Sequence, residues 1–286
     1  MKYVVAIGCS FVQGSGVELT KEEAPALVAN KLGINHASDQ HDVDEDITSQ
    51  SGPDGAPIPD KLYFNRGLAG ACNKFIRRKT MNWVSCNQDK WEDLIVLVGW
   101  SSPFRHELFI GGWSYDNPIP YVDRTGGYRQ LNSPNITGEL AQFIDEDENI
   151  NNDFFRHYIV HHYDFDEQIR VFLDEIIILQ SFLKVNNIKY IFWNSLDYKK
   201  RWEKNVYGHK NEKTSLYKNS LIDTNHWIGN SIEYSWEKFL DEVDEEQGLT
   251  TRMAKGKGDD HPNQLGHKLW ADKIYKKMEK LYGKEL

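Results

Sequence analysis

Four short segments of this 286-residue chain carry the groups that acyl transfer requires. Near the start, Ser10 stands in Gly8–Cys9–Ser10–Phe11–Val12–Gln13–Gly14. Near the end, His261 follows two acidic residues in Gly258–Asp259–Asp260–His261–Pro262–Asn263 and precedes Gln264–Leu265–Gly266–His267. Between them lie a glycine-rich run, Asn65–Arg66–Gly67–Leu68–Ala69–Gly70–Ala71–Cys72–Asn73, and a hydroxyl-bearing one, Gly99–Trp100–Ser101–Ser102–Pro103–Phe104–Arg105. Together they offer a serine, an Asp–His pair, backbone N–H donors and a further hydroxyl. A nucleophile, its base, a group to orient that base and an oxyanion hole are the parts of an acyl-transfer site. Each segment alone reads equally well as an ordinary turn.

The elements that must position these segments follow from hydrophobic patterning. Lys2 to Gly8, Asp93 to Gly99 and Ile188 to Trp193 are short apolar runs of the kind buried on both faces of a parallel sheet. A shorter strand is expected at Leu62–Asn65. Helical stripes fall between them. Ala24, Leu27, Val28 and Leu32 share a face that stops at Gly33, with Thr20 and Glu23 at capping-box spacing and regular turns expected to start near Pro25. Ile169, Phe172, Leu173, Ile176 and Leu183 form a longer stripe; Trp270, Ile274, Met278 and Leu281 form the last one, with Asn263 placed as its cap. Strand and helix in alternation imply a three-layer α/β/α sandwich on a parallel sheet. In such sheets ligands bind at the carboxyl ends of the strands, where three of the chemical segments begin; the fourth stands before the last helix. A fifth strand is not visible between Trp193 and Gly258.

Composition narrows the function classes. There are 34 Lys+Arg against 43 Asp+Glu, a net charge of −9, with 40% apolar and 27% charged residues. That is an ordinary globular mixture, and its sign disfavours nucleic acid and anionic membranes as partners. No run approaches the ~20 apolar residues of a membrane helix, and the first strand is too short for a signal-peptide core, so a cytoplasmic location is expected. Cys9, Cys72 and Cys86 have no metal-ligand spacing and read as free thiols in a reducing compartment. Two segments interrupt the alternation. Residues 36–60 hold seven acidic residues and no Lys or Arg, and read as an exposed loop. Residues 106–160, rich in Gly, Pro, Asn and aromatics, read as a lid.

The four segments, in this order, resemble the SGNH, or GDSL-type, hydrolases. That resemblance implies one flavodoxin-like domain over 1–286 and an esterase activity with no metal or organic cofactor. Gly8 to Gly14 matches the Gly-Asp-Ser-x-x-x-Gly nucleophile block, with Cys9 in place of the aspartate, so the nucleophile role falls on Ser10. Gly70 matches the backbone oxyanion donor of the second block. The third block, Gly-x-Asn-Asp, reads Gly99–Trp100–Ser101–Ser102, which hands the side-chain donor role to Ser101. His261 matches the base of the Asp-x-x-His block, but Gly258 occupies the aspartate position, so Asp259 or Asp260 must orient the imidazole. The oxyanion hole implied is Ser10 N–H, Gly70 N–H and the Ser101 hydroxyl. Trp100, Arg105 and Trp113 are the candidate substrate contacts.

The substrates expected are small acyl esters, O-acetyl groups on carbohydrate among them. The rival is a catalytically weakened SGNH-fold protein that binds carbohydrate or serves an assembly; the variant pattern is similar to SGNH-like proteins of bacteriophages, which implies a place in a virion. A peptide or thioester substrate for the same site stays open. Other motifs read as structural. Asp42, Asp44 and Asp46 open like a calcium loop, but Ile47 and Pro53 stand where glycine and glutamate are needed. His157, His161 and His162 include an i, i+4 pair, but the pair lacks the intervening glutamate pattern and a clear third zinc ligand, and Arg77–Arg78–Lys79 is short for a nucleic-acid patch.

Overall fold

Every residue of Val4–Ile7 and of Leu94–Val98 is fully buried, so these two runs accept apolar cover on both faces. A computed structural model of the chain describes residues 1–15, 17, 22–34, 61–68, 71–103, 105–109, 128–131, 165–197, 220–252, 261–283 and 285–286. In it the strands β1 (Tyr3–Gly8), β2 (Leu62–Asn65), β3 (Leu94–Trp100) and β6 (Lys189–Asn194) form one sheet in the order β2-β1-β3-β6. All three pairings are parallel, with Tyr3 opposite both Leu62 and Leu94, and Gly99 opposite Trp193. The sheet is thus the α/β arrangement expected from the alternation.

Opposite faces of the sheet carry different helices. Trp100 packs edge-to-face on Phe172 of α4 (Phe165–Val185), whereas Trp193, one pleat step away, packs on Trp270 of α6 (Gln264–Tyr282). With α4 goes α3 (Asn73–Cys86), held by the ion pair from Arg77 to the buried Glu175. With α6 goes α2 (Ala24–Lys31), tied by Lys31–Asp272 at 2.9 Å and by Ala24 N–H to His267 Nδ1 at 3.0 Å. The one-turn α1 (Ser10–Gln13) follows β1, and α5 (Trp236–Gln247) precedes α6. Trp236 stacks on Trp270 at 5.4 Å and 6°, and its edge meets Phe11 at 5.4 Å.

Several expectations change against these coordinates. Glu23 is the residue before α2, not a first-turn capping partner, because its carboxyl turns inward to Tyr63; Thr20 lies outside the described residues. Helices α3 and α5 were not legible as stripes. Where a fifth strand would lie, the described residues beside β6 form two parallel bridges, Phe192 with Trp227 and Asn194 with Ser235. Between them Gly229 and Asn230 take left-handed backbone (φ 75° and 55°) and throw the chain out of the ladder. Residues 36–60 lie outside the described residues. Of the expected lid, only β4 (His106–Phe109) and β5 (Tyr128–Leu131) are described, as an antiparallel pair.

Trp100 is also corrected. It has no exposed surface, and Phe172 and Phe192 flank its ring at 6.0 and 5.5 Å, so it belongs to the core and not to a substrate surface. Trp100→Ala is therefore expected to cost about 3–5 kcal/mol in urea unfolding, the range for deleting a large buried side chain. A substrate-contact role would instead leave the unfolding midpoint nearly unchanged.

Candidate active site

In the order β2-β1-β3-β6 the chain leaves β1 in one direction and β3 in the other, so the carboxyl ends of these two strands form the switch point at which such sheets bind ligands. Ser10 follows β1 and Ser101 follows β3. The strands approach closely here. A Cβ on Gly8 would lie 2.6 Å from the Gly99 carbonyl oxygen and 2.4 Å from Val12 Cγ2, so any side chain would push α1 off the sheet.

Ser10 begins α1, and Gly14 closes that turn in left-handed conformation at φ 87°. The Ser10 side chain is 7% exposed, and its Oγ lies 2.9 Å from His261 Nε2, a contact spanning 251 residues of sequence. His261 reaches it because Asn263 anchors the entry to α6. Asn263 N–H donates to the Thr251 carbonyl at 2.9 Å, its Nδ2 donates to the Thr250 and Arg252 carbonyls, and its Oδ1 accepts the Gly266 N–H at 3.0 Å. Phe11 lies against the imidazole at 5.6 Å. Behind it, buried His267 accepts the Ala24 N–H on Nδ1. Burial, helped by the neighbouring His261, pushes the His267 pKa down to about 3 and keeps that ring neutral.

The second segment is stitched to the nucleophile turn. Asn65 Nδ2 donates to the Val12 carbonyl at 2.9 Å while its Oδ1 accepts the Gly67 N–H at 2.8 Å. Leu68 N–H donates to the Gly8 carbonyl, and a Cβ on Gly67 would meet the Gln13 nitrogen at 2.5 Å. Beneath this turn sits Glu23, fully buried, accepting the Tyr63 hydroxyl at 2.7 Å. Burial raises its pKa to about 7 against the opposing hydrogen bonds of Tyr63 and Asn65.

The third segment presents Ser101, 1% exposed. Its N–H donates to Asn73 Oδ1 at 2.7 Å, and Asn73 Nδ2 donates to the Ser101 and Ser102 carbonyls at 3.1 and 3.2 Å. The Ser101 hydroxyl has no hydrogen-bond partner among the described residues. A buried hydroxyl left so costs about 1–3 kcal/mol and calls for a reason. Arg105, half-buried, donates its backbone N–H to the Ser102 carbonyl. Gly70, Trp113, Asp259 and Asp260 lie outside the described residues, as do the Asp42–Asp46 cluster and His157, His161 and His162.

The structure thus brings together Ser10 and His261 and puts Ser101 at the neighbouring strand end. Reading the sequence missed Asn65, Asn73, Glu23 and His267. The two asparagines bracket the glycine-rich segment, and a carboxamide at each end of such a loop was the available signal. Nothing local marked Glu23 or His267, whose burial depends on packing between α2 and α6. Among the described residues no three His, Cys, Asp or Glu side chains are grouped to hold a metal ion, and no helix is long and apolar enough to cross a membrane.

Fold and site together define an α/β protein with a serine–histidine pair at the switch point of a parallel sheet. The chain belongs to the family of unknown function DUF6071, whose model matches residues 59–282. Comparison with curated proteins gives no match. Among solved structures it is similar to a protein assigned to the G-D-S-L lipolytic family from Desulfitobacterium hafniense, at 14% identity and TM-score 0.42 over 97% of this chain and 99% of that one. The psychrotrophic esterase EstA from Pseudoalteromonas, a structure inhibited by monoethylphosphonate, aligns at 12% identity and TM-score 0.44 over 98% of each chain. A G-D-S-L lipolytic family member from Veillonella parvula aligns at 11% identity and TM-score 0.39 over 100% of both. Likenesses this distant transfer no activity.

Glu23 generates a stability prediction. The folded protein keeps the Glu23 proton up to about pH 7, whereas the unfolded chain releases it near 4.5. The stabilisation is complete below the unfolded value and is lost as pH rises through the folded one. At 1.36 kcal/mol per unit this amounts to about 3 kcal/mol. His267 acts in the opposite sense, its contribution present above 6.5 and lost as pH falls towards 3. Between pH 5 and 8, Glu23→Gln is expected to gain about 3 kcal/mol relative to wild type, read from urea midpoints. Parallel pH dependence in the two proteins contradicts the assignment.

Proposed function

We propose that this protein is a serine ester hydrolase of the SGNH type acting on small acyl esters, O-acetyl groups on carbohydrate among them. The observation that carries the reading is the 2.9 Å contact between Ser10 Oγ and His261 Nε2. In the proposed reaction Ser10 Oγ attacks the ester carbonyl as His261 Nε2 takes its proton. The tetrahedral intermediate collapses to an acyl-Ser10, and the imidazolium proton goes to the departing alcohol. Water, deprotonated by His261, then attacks the acyl group; the carboxylic acid leaves and Ser10 recovers its proton. Asp259 or Asp260 holds the imidazole tautomer.

The developing oxyanion would take hydrogen bonds from Ser10 N–H, Gly70 N–H and the Ser101 hydroxyl. The Ser101 main-chain N–H is committed to Asn73, so the hydroxyl is the donor that residue has left to offer. It has no hydrogen-bond partner among the described residues, which supports this role, because the bond it needs would form with the substrate. Arg105 and Trp113 are the proposed substrate contacts.

Two outcomes are expected. A fluorophosphonate probe should add once to wild-type protein and not to Ser10→Ala, read by intact mass; a folded wild type that takes no adduct favours the non-catalytic, binding or assembly reading. In turnover of 4-nitrophenyl acetate, Ser101→Ala should lower kcat about a hundredfold with KM little changed, as for loss of one oxyanion donor. A change confined to KM would remove Ser101 from the oxyanion hole.

A further inference from the structure

We infer that Asn73 is a positioning residue of this site, fixing the turn after β3 so that the Ser101 hydroxyl is the group held towards the reacting carbonyl. The inference rests on the esterase reading above. Asn73 is the first residue of α3, 4% exposed, and lies 28 residues from the turn it holds. At a helix start its carboxamide has a local alternative, since asparagine favours bonding to nearby backbone N–H groups. Here that local bond is made by its neighbour, Cys72, whose Sγ accepts the Phe75 N–H at 3.4 Å. The Asn73 carboxamide therefore turns wholly to the other strand end.

Its geometry there is that of a peptide group laid beside the chain. Oδ1 accepts the Ser101 N–H at 2.7 Å, and Nδ2 is shared by the carbonyls of Ser101 and Ser102 at 3.1 and 3.2 Å. Both main-chain polar groups of Ser101 are thereby satisfied, and the backbone that carries its Cβ is held from both sides. What is left is one hydroxyl, buried and without a hydrogen-bond partner among the described residues. A serine side chain is short, so fixing the backbone beneath it confines its oxygen to the few places that staggered rotamers allow. Displacing a reacting or stabilising group by about 1 Å can cost about a hundredfold in rate.

A mere strut would bear on stability and on any step alike; a positioning residue acts through Ser101 alone. The test is a double-mutant cycle in 4-nitrophenyl acetate turnover with Asn73→Ala, Ser101→Ala and the pair, each checked for folding by circular dichroism and thermal midpoint. Asn73→Ala should lower kcat at least about tenfold with KM little changed, yet add less than about twofold once Ser101 is already alanine. Asn73→Asp keeps the acceptor for the Ser101 N–H, loses both donors, and takes the same cycle if the alanine variant does not fold. Equal losses in both backgrounds, in an active wild type, overturn the inference and leave the esterase reading standing. Wild-type protein without Ser10-dependent turnover overturns that reading and the inference with it.

Discussion

A hydrogen bond between residues 251 positions apart exists only while everything between them holds the two ends of the chain together. Closing so long a loop is costly in chain entropy, and one contact between exposed side chains could not sustain it. Here the cost is offset by burial of α2 and α6 on the same face of the sheet. The Ala24–His267 bond and the Lys31–Asp272 pair register the two helices at opposite ends of their contact. Ser10 is then set by β1 and the closely packed Gly8, and His261 by the residue that opens α6. Neither partner belongs to a segment that could place it alone.

The loops around this contact are organised less by secondary structure than by three buried or half-buried carboxamides. Asn65 links the second segment to the nucleophile turn, Asn73 links α3 to the turn after β3, and Asn263 links α6 to residues 250–252. Each offers an acceptor and two donors in one plane, and so can complete a stretch of backbone that has no strand beside it. An aspartate of the same shape could not, because it has no donor when ionised. The arrangement holds three irregular segments at fixed distances while leaving the strand ends open.

Much of the architecture was legible before the coordinates because β1, β3 and β6 are buried on both faces, and continuous apolar runs result. The stripes of α4 and α6 were legible because each helix buries one face, which sets its apolar residues at helical spacing. Helix α3 was missed: its buried residues Phe75, Ile76, Thr80 and Val84 are diluted by Arg77, Arg78 and Lys79, and Arg77 points inward to Glu175. Helix α5 was missed because Trp236, Leu240 and Val243 are set among acidic residues. The fifth strand could not be read since, among the described residues, the chain beside β6 forms two bridges around a left-handed kink. Of the site, Ser10 and His261 announced themselves through their neighbours in sequence. Trp100 misled because an aromatic beside a candidate serine looks like a ligand platform, whereas its pleat position faces α4. Glu23 and His267 owe their character to tertiary burial alone.

The stacked indoles of Trp236 and Trp270 have an optical consequence. Two parallel rings 5.4 Å apart, both wholly shielded from water, sit in the apolar surroundings that shift indole emission to the blue. Trp236 meets both Phe11, the residue after Ser10, and the ring of His267 edge-to-face, at 5.4 and 5.0 Å. The chain therefore carries a native spectroscopic probe within one side chain of its serine. Loosening of the nucleophile turn would admit water to these indoles and move that emission to the red.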